Sequence, residues 1–127
     1  MSHVALVVED ERALSNAIKI KLEKNDFKVF NTTNATEAFE LLEKHPEIEV
    51  IWLDHYLIGS ESGLDLVVKI KQDEKYNKLP IFVVSNTAGG DKIKSYLQLG
   101  INKFYTKSDF RLEDIITDIN NALRKKE

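Results

Sequence analysis

Four short stretches of this sequence end on side chains that could do chemistry together. The apolar run Val50-Ile51-Trp52-Leu53 stops at Asp54, and Val4-Ala5-Leu6-Val7-Val8 stops at Glu9-Asp10-Glu11. Ile81-Phe82-Val83-Val84 stops at Ser85, and Lys107 lies just past Ile101 to Tyr105. Short apolar runs with β-branched members, flanked by polar sequence, read as strands buried on both faces. In an open parallel α/β sheet, ligands bind at the carboxyl ends of the strands. A carboxylate there is badly sited for packing and well sited for reaction. Glu9, Asp10 and Asp54 on one rim would repel one another and raise each other's pKa values unless a cation lay between them. A hard, oxygen-ligated ion such as Mg²⁺ fits, since it accepts few carboxylates and keeps several waters. The Ser85 hydroxyl and the Lys107 ammonium opposite that ion would complete a pocket for an anion with oxygens on several sides. The group implied is a phosphoryl.

The elements needed to hold these residues can be read in order. After the first strand, Leu14, Ala17, Ile18 and Leu22 recur at helical spacing from Ala13 to about Lys24. Asn25-Asp26 breaks the helix, and Phe27 to Phe30 alternates as a half-buried strand. Asn34 with Glu37 three residues on forms a capping-box pattern. Ala35, Ala38, Phe39 and Leu42 then give a second helix, which His45-Pro46 ends. The strand ending at Asp54 follows, with Trp52 as core. His55 to Gly63 is a loop by composition, and Leu64, Val67, Val68 and Ile70 predict a third helix from near Ser62 that fades by Lys75. Pro80 starts the fourth strand. Gly89-Gly90 opens a fourth helix through Ile93, Tyr96 and Leu97, closed by Gly100. Ile101 to Tyr105, less apolar than the rest, is expected at a sheet edge. Leu112, Ile115, Ile116, Ile119 and Leu123 mark the last helix, whose C-terminal dipole suits Arg124, Lys125 and Lys126. Five β-α units call for a doubly wound parallel sheet with helices on both faces.

Composition narrows the class. The chain has 127 residues, 43% of them hydrophobic and 31% charged, as expected for one globular domain spanning 1–127. A net charge of −3 offers no general reason to bind nucleic acid or a membrane surface. No apolar stretch approaches the ~20 residues that span a bilayer. Met1-Ser2-His3-Val4 shows no basic region followed by an apolar stretch, so no signal peptide is expected. The absence of cysteine excludes disulfides, thiolate metal sites and cysteine nucleophiles. These features favour a cytoplasmic protein.

With the residues in place, the chain resembles a receiver domain of two-component response regulators, similar to the single-domain chemotaxis regulators. The resemblance runs from Val4 to about Leu123. It is carried by Val7-Val8-Glu9-Asp10-Glu11, Leu53-Asp54, Pro80 to Ser85, and Gly100 through Phe104 to Lys107. It implies a flavodoxin-like (βα)5 fold with strand order 2-1-3-4-5. It further implies that Asp54 accepts a phosphoryl group from a phosphohistidine on a sensor histidine kinase or phosphotransfer protein. Asp10 would ligate Mg²⁺ directly and Glu9 through water, with Asp54 and the Tyr56 carbonyl completing the protein ligands. Lys107 would pair with a phosphoryl oxygen. Ser85 would donate to another, and Phe104 would rotate inward as Ser85 moves. Such a chain is not an enzyme beyond its own phosphorylation and dephosphorylation. Its output would be a contact between an unknown protein target and the face of helix four, strand five and helix five.

The sequence departs from the family pattern around the acceptor. Ile58 stands where Pro is usual four residues after it, and Gly63 falls one residue late, so the loop carries a one-residue insertion. Asn86 replaces a small residue, and Ser108 follows Lys107 where Pro is commoner. Tyr56 and Thr87 occupy positions that tune dephosphorylation. Asn102 and Lys103 replace the paired acids of receivers that dimerise to drive DNA-binding domains, which favours a monomer or weak dimer. His3, His45 and His55 share no ligand spacing and are expected at the surface, with His55 beside the site. Taken alone, Glu9, Asp10 and Glu11 could serve the first helix as first-turn acids. A pseudo-receiver acting as a constitutive interaction module, without phosphorylation, is the alternative function. A phosphoaspartate phosphatase is disfavoured because Tyr56 stands where it needs an acid. A flavodoxin-like cofactor protein is disfavoured because Glu9-Asp10-Glu11 replaces a Gly-rich phosphate loop.

Overall fold

Strands that read as unbroken apolar runs do so because both their faces are covered. A computed structural model describes residues 3–86 and 89–124; Thr87, Lys125 and Lys126 lie outside the described residues. The elements are β1 (His3–Val8), α1 (Arg12–Lys24), β2 (Phe27–Thr32), α2 (Ala35–Lys44), β3 (Val50–Leu53) and α3 (Gly63–Lys71). They continue as β4 (Ile81–Ser85), α4 (Gly90–Gln98), β5 (Lys103–Thr106), a 3₁₀ turn (Lys107–Asp109) and α5 (Leu112–Arg124). All five strands are parallel, in the order β2-β1-β3-β4-β5. β3 and β4 are buried along their whole length, whereas β2 and β5 alternate and form the edges.

Period-two alternation divides the core into two layers. Val7, Trp52, Phe82, Val84 and Tyr105 pack with Ile18, Leu22 and the α5 stripe of Ile115, Ile116, Ile119 and Leu123. Leu6, Val8, Ile51, Leu53, Ile81 and Val83 pack on the other side with Ala38, Leu42, Leu66, Val67, Ile70 and Tyr96.

Several boundaries differ from the periodicity. β2 continues to Thr32 because Asn31 and Thr32 keep pairing with Val7 and Val8. α3 stops at Lys71, and the residues up to Leu79 form turns. Its start is a full capping box, with Ser62 Oγ accepting from the Asp65 N–H and the Asp65 carboxylate accepting from the Ser62 N–H. Asn34 caps α2 by accepting from the Glu37 N–H at 2.7 Å. β5 begins at Lys103, after buried Ile101. In α4 Leu97 is 52% exposed, and Tyr96 is the buried residue of that helix among those described.

Candidate functional site

Strand register decides which side chains meet. Val8, Leu53 and Val83 lie at one level of the sheet, and Ser85 lies opposite Thr106. Glu9 and Asp54 therefore emerge together one step past β1 and β3. The Glu9 N–H donates to the Thr32 carbonyl at 3.0 Å and the Asp54 N–H to the Val8 carbonyl at 2.9 Å. Because side chains alternate, Glu9 and Asp54 turn toward the α1/α5 layer, and Lys107 shares the parity of Tyr105 on that same side. Ser85 and Phe104 belong to the opposite parity, with α4.

The rim is a charged pocket cut into the fold. Glu9 is fully buried and Asp54 is 2% exposed. Carboxylate oxygens of Glu9, Asp10 and Asp54 all lie within 4.8 Å of one another. The Lys107 ammonium reaches between them, donating to Asp54 Oδ2 at 3.0 Å and lying 2.9 Å from Glu9 Oε1. Among the described residues Glu9 Oε1 has no other polar partner. Glu9 Oε2 accepts from the Glu11 N–H at 3.0 Å. The Tyr56 N–H donates to Asp54 Oδ1 at 3.3 Å. α1 begins at Arg12 with no acid in its first turn, so Glu9, Asp10 and Glu11 do not serve it as first-turn acids.

The electrostatics follow from crowding. Burial, then hydrogen bonding to Asp10, pushes the Glu9 carboxyl up to about 8. Burial works against Asp10 as well, but its hydrogen bonds to Glu9 and Asp54 and the Lys107 charge outweigh it and hold the group below its ordinary value. Burial opposes the Lys107 charge too, and hydrogen bonds to Glu9 and Asp54 overcome it, raising the pKa above that of ordinary lysine. One ammonium thus faces three carboxyls, and it is the sole partner of Glu9 Oε1 among the described residues. That donor set fits a hard divalent cation. Ser85 is fully buried at the end of β4, and its Oγ has no hydrogen-bond partner among the described residues.

The loop after Asp54 folds back on its own start. It turns at Gly59, whose φ is +105°, and the Ile58 N–H donates to the Thr33 carbonyl at 2.9 Å. Gly63 donates its N–H to the His55 carbonyl at 2.8 Å. A Cβ at Gly63 would overlap the Asp54 carbonyl oxygen and lie 2.9 Å from the Tyr96 hydroxyl, so only glycine fits. Tyr56 is exposed, and Lys92 of α4 donates to its hydroxyl at 3.1 Å. Ile58 and Asn86 are exposed.

His55 is a correction. Expected at the surface, it is buried at 9% exposure, with Nδ1 sharing a 2.6 Å hydrogen bond with the Tyr96 hydroxyl. The ring points into the α4 layer because Asp54 points the other way. Burial, then the nearby Lys92 charge, lowers its pKa and favours the neutral ring. His3 and His45 remain partly exposed and lie beside Glu49 and Glu47. Phe104 is half-buried with its ring centroid 5.6 Å from that of Tyr96, while Tyr105 is core and donates to Asp118 at 2.6 Å. Ser62 stands at the start of α3 and Tyr96 within α4, where the periodicity places them. The Ser62-x-x-Asp65 spacing was a readable cap signal, whereas nothing in the sequence marks Tyr96 as a partner of His55.

The comparisons agree with this geometry. Residues 5–120 match the model of the response regulator receiver domain. A chemotaxis protein CheY homolog of Campylobacter jejuni is 29% identical over 103 residues, covering 80% of this chain and 78% of that protein. The regulatory protein VanR of Enterococcus faecium is 32% identical over 98% of this chain, which spans 52% of VanR. The crystal structure of a response regulator receiver protein from Pseudomonas putida superposes with a TM-score of 0.88 at 26% identity, covering 95% of this chain and 98% of that one. Among the described residues, no helix is long and apolar enough to cross a membrane. The fold, the acidic rim and the match over nearly the whole chain lead to one conclusion: this chain belongs to the response regulator receiver domain family, the signalling switches of two-component systems.

Proposed function

We propose that the chain is a phosphorylation-operated switch, a single receiver domain over residues 1–127, with Asp54 as the phosphoacceptor. The observation that carries this reading is the Lys107 ammonium, 3.0 Å from Asp54 and 2.9 Å from Glu9 at the mouth of an acidic rim. An Asp54 oxygen attacks the phosphorus of a phosphohistidine. A P–O bond forms as the P–N bond breaks, and the bonding pair returns to the imidazole nitrogen. Phosphoryl transfer asks little of the protein beyond positioning and charge neutralisation. Glu9, Asp10, Asp54 and the Tyr56 carbonyl would hold Mg²⁺, which when bound offsets the negative charge of the phosphoryl oxygens. Lys107 passes from the Asp54 carboxylate to a phosphoryl oxygen. Ser85, whose buried hydroxyl has no partner among the described residues, donates to another. Phe104 follows Ser85 inward, on the same side of the sheet.

The donor is a sensor histidine kinase or phosphotransfer protein in the cytoplasm, and the output is a protein contact on the face of α4, β5 and α5. Lys103 on that face is paired with Asp118 at 3.1 Å, and Asn102 accepts from the Ile81 N–H at 3.1 Å, which favours a monomer or weak dimer. The test is incubation with Mg²⁺ and acetyl phosphate followed by mass measurement. A phosphoryl mass gain that Asp54→Asn abolishes is expected. A folded protein that gains no mass from any donor would instead be a pseudo-receiver.

A further inference from the structure

We propose that Tyr96 is a positioning residue of the switch, which holds α4 to the acceptor loop through its hydrogen bond to His55 and is displaced from it when Asp54 is phosphorylated. The proposal rests on the phosphorylation reading above and names the contact that would transmit it.

Several observations converge on Tyr96. It shares a 2.6 Å hydrogen bond with Nδ1 of His55, the residue next to the acceptor. It lies where a Gly63 side chain would be, so it also touches the start of α3. The Tyr96 ring leans on Phe104, with centroids 5.6 Å apart at 48°. Finally, Tyr96 is completely buried, the buried residue of α4 among those described, while Leu97 beside it is exposed. α4 also starts at Gly89 without a side-chain cap. A helix anchored by one buried side chain takes its position from that side chain. A buried hydroxyl and a buried imidazole are costly to separate, because each loses its partner without gaining water. The pair therefore gives α4 one well-defined seat while the acceptor loop is at rest.

Phosphorylation acts on both ends of this contact. The acyl phosphate grows directly on the residue before His55. Phe104, moving inward after Ser85, turns into the space that the Tyr96 ring occupies. A two-state element can be biased only by contacts that differ between its states. The His55–Tyr96 bond is such a contact, made at rest and lost on phosphorylation. By linkage, removing it costs the resting state and favours the phosphorylated one.

The experiment is amide hydrogen exchange on the full chain, with and without acetyl phosphate and Mg²⁺, alongside the phosphorylated fraction by mass. Tyr96→Phe keeps the ring and removes the hydroxyl. It should speed exchange of the α4 amides in the resting protein about tenfold, as loss of one buried hydrogen bond does to a local opening equilibrium. α1 and α2 should be unchanged, the phosphorylated fraction at a fixed donor level should rise, and the further gain in α4 exchange on phosphorylation should shrink. His55→Leu should reproduce Tyr96→Phe, His55→Gln should restore slow exchange, and the Tyr96→Phe/His55→Leu pair should be no worse than either alone. Unchanged α4 exchange in Tyr96→Phe, or equal acceleration in every helix, would overturn the assignment. A protein that takes up no phosphoryl group defeats the switch reading itself. One that is phosphorylated normally, with α4 indifferent to Tyr96→Phe, defeats only the role of Tyr96.

Discussion

Lys107, the first residue past β5, donates to Asp54, the first residue past β3, at 3.0 Å across the intervening end of β4. The ammonium also lies 2.9 Å from Glu9, so it stands where a divalent cation or a phosphoryl group would compete for the same carboxylates. Lys107→Met should separate these effects. It leaves buried Glu9 and Asp54 without their cation and should lower stability by about 1–3 kcal/mol in urea unfolding. Mg²⁺ affinity, by contrast, should rise, because the ammonium no longer competes for Glu9 and Asp54. Phosphorylation should fall with the loss of a partner for the phosphoryl oxygens. A Lys107→Met protein that binds Mg²⁺ more weakly would contradict this account of the pocket.

Trp52 lies two residues before Asp54 in the α1/α5 layer and reports on the rim without labelling. Titration with Mg²⁺ should change its emission, and EDTA should reverse the change. Asp10→Ala should weaken the response at least tenfold, since the Asp10 carboxyl is held below its ordinary pKa and so is ready to ligate. An identical titration in Asp10→Ala would remove Asp10 from the metal site.

Gly63 is required by space, since a methyl group there meets the Asp54 carbonyl oxygen and the Tyr96 hydroxyl. Gly63→Ala should cost about 1–3 kcal/mol from overpacking, seen as a lower urea midpoint. It should also slow phosphorylation, because the displaced carbonyl belongs to the acceptor itself. Gly59→Ala, in open space at φ +105°, carries backbone strain alone and should leave the phosphorylation rate unchanged.

Asp118 links the edge strand to α5 and makes part of the fold pH-dependent. The Tyr105 hydroxyl, then Lys103, hold its carboxyl below the ordinary 3.8. A depressed folded pKa means that the unfolded chain binds its proton first, so the stabilisation is present above about pH 4 and is lost as pH falls through the folded value. Asp118→Asn should therefore lower the thermal midpoint at pH 7, and the gap to the unaltered protein should close toward pH 3. A gap constant over that range would assign the effect to packing.

Much of the site was legible because strand ends are chemically conspicuous. Asp54, Glu9, Asp10, Ser85 and Lys107 each follow an apolar run, and a parallel sheet sends all such ends to one rim. The α5 stripe was legible for a related reason, since five apolar side chains at helical spacing have one packing solution. The α3 cap was legible too, once Asp is allowed in place of Glu or Gln at the third position. α4 was less so, because Ile93, Tyr96 and Leu97 share one face at helical spacing, and the choice of Tyr96 over Leu97 as anchor depends on what lies beneath.

By itself the sequence determined the order of β-α units and the residue types on the rim, because periodicity and turn chemistry are local. Only the tertiary structure decided that Lys107 reaches Asp54, that Gly63 lies against the Asp54 carbonyl with no room for a side chain, and that His55 turns inward to Tyr96. These are relations between elements 41 to 53 residues apart in the chain, or matters of available space, and no local pattern encodes them. A histidine beside a charged rim looks like a surface residue until the far side of its strand is known to be packed by α4.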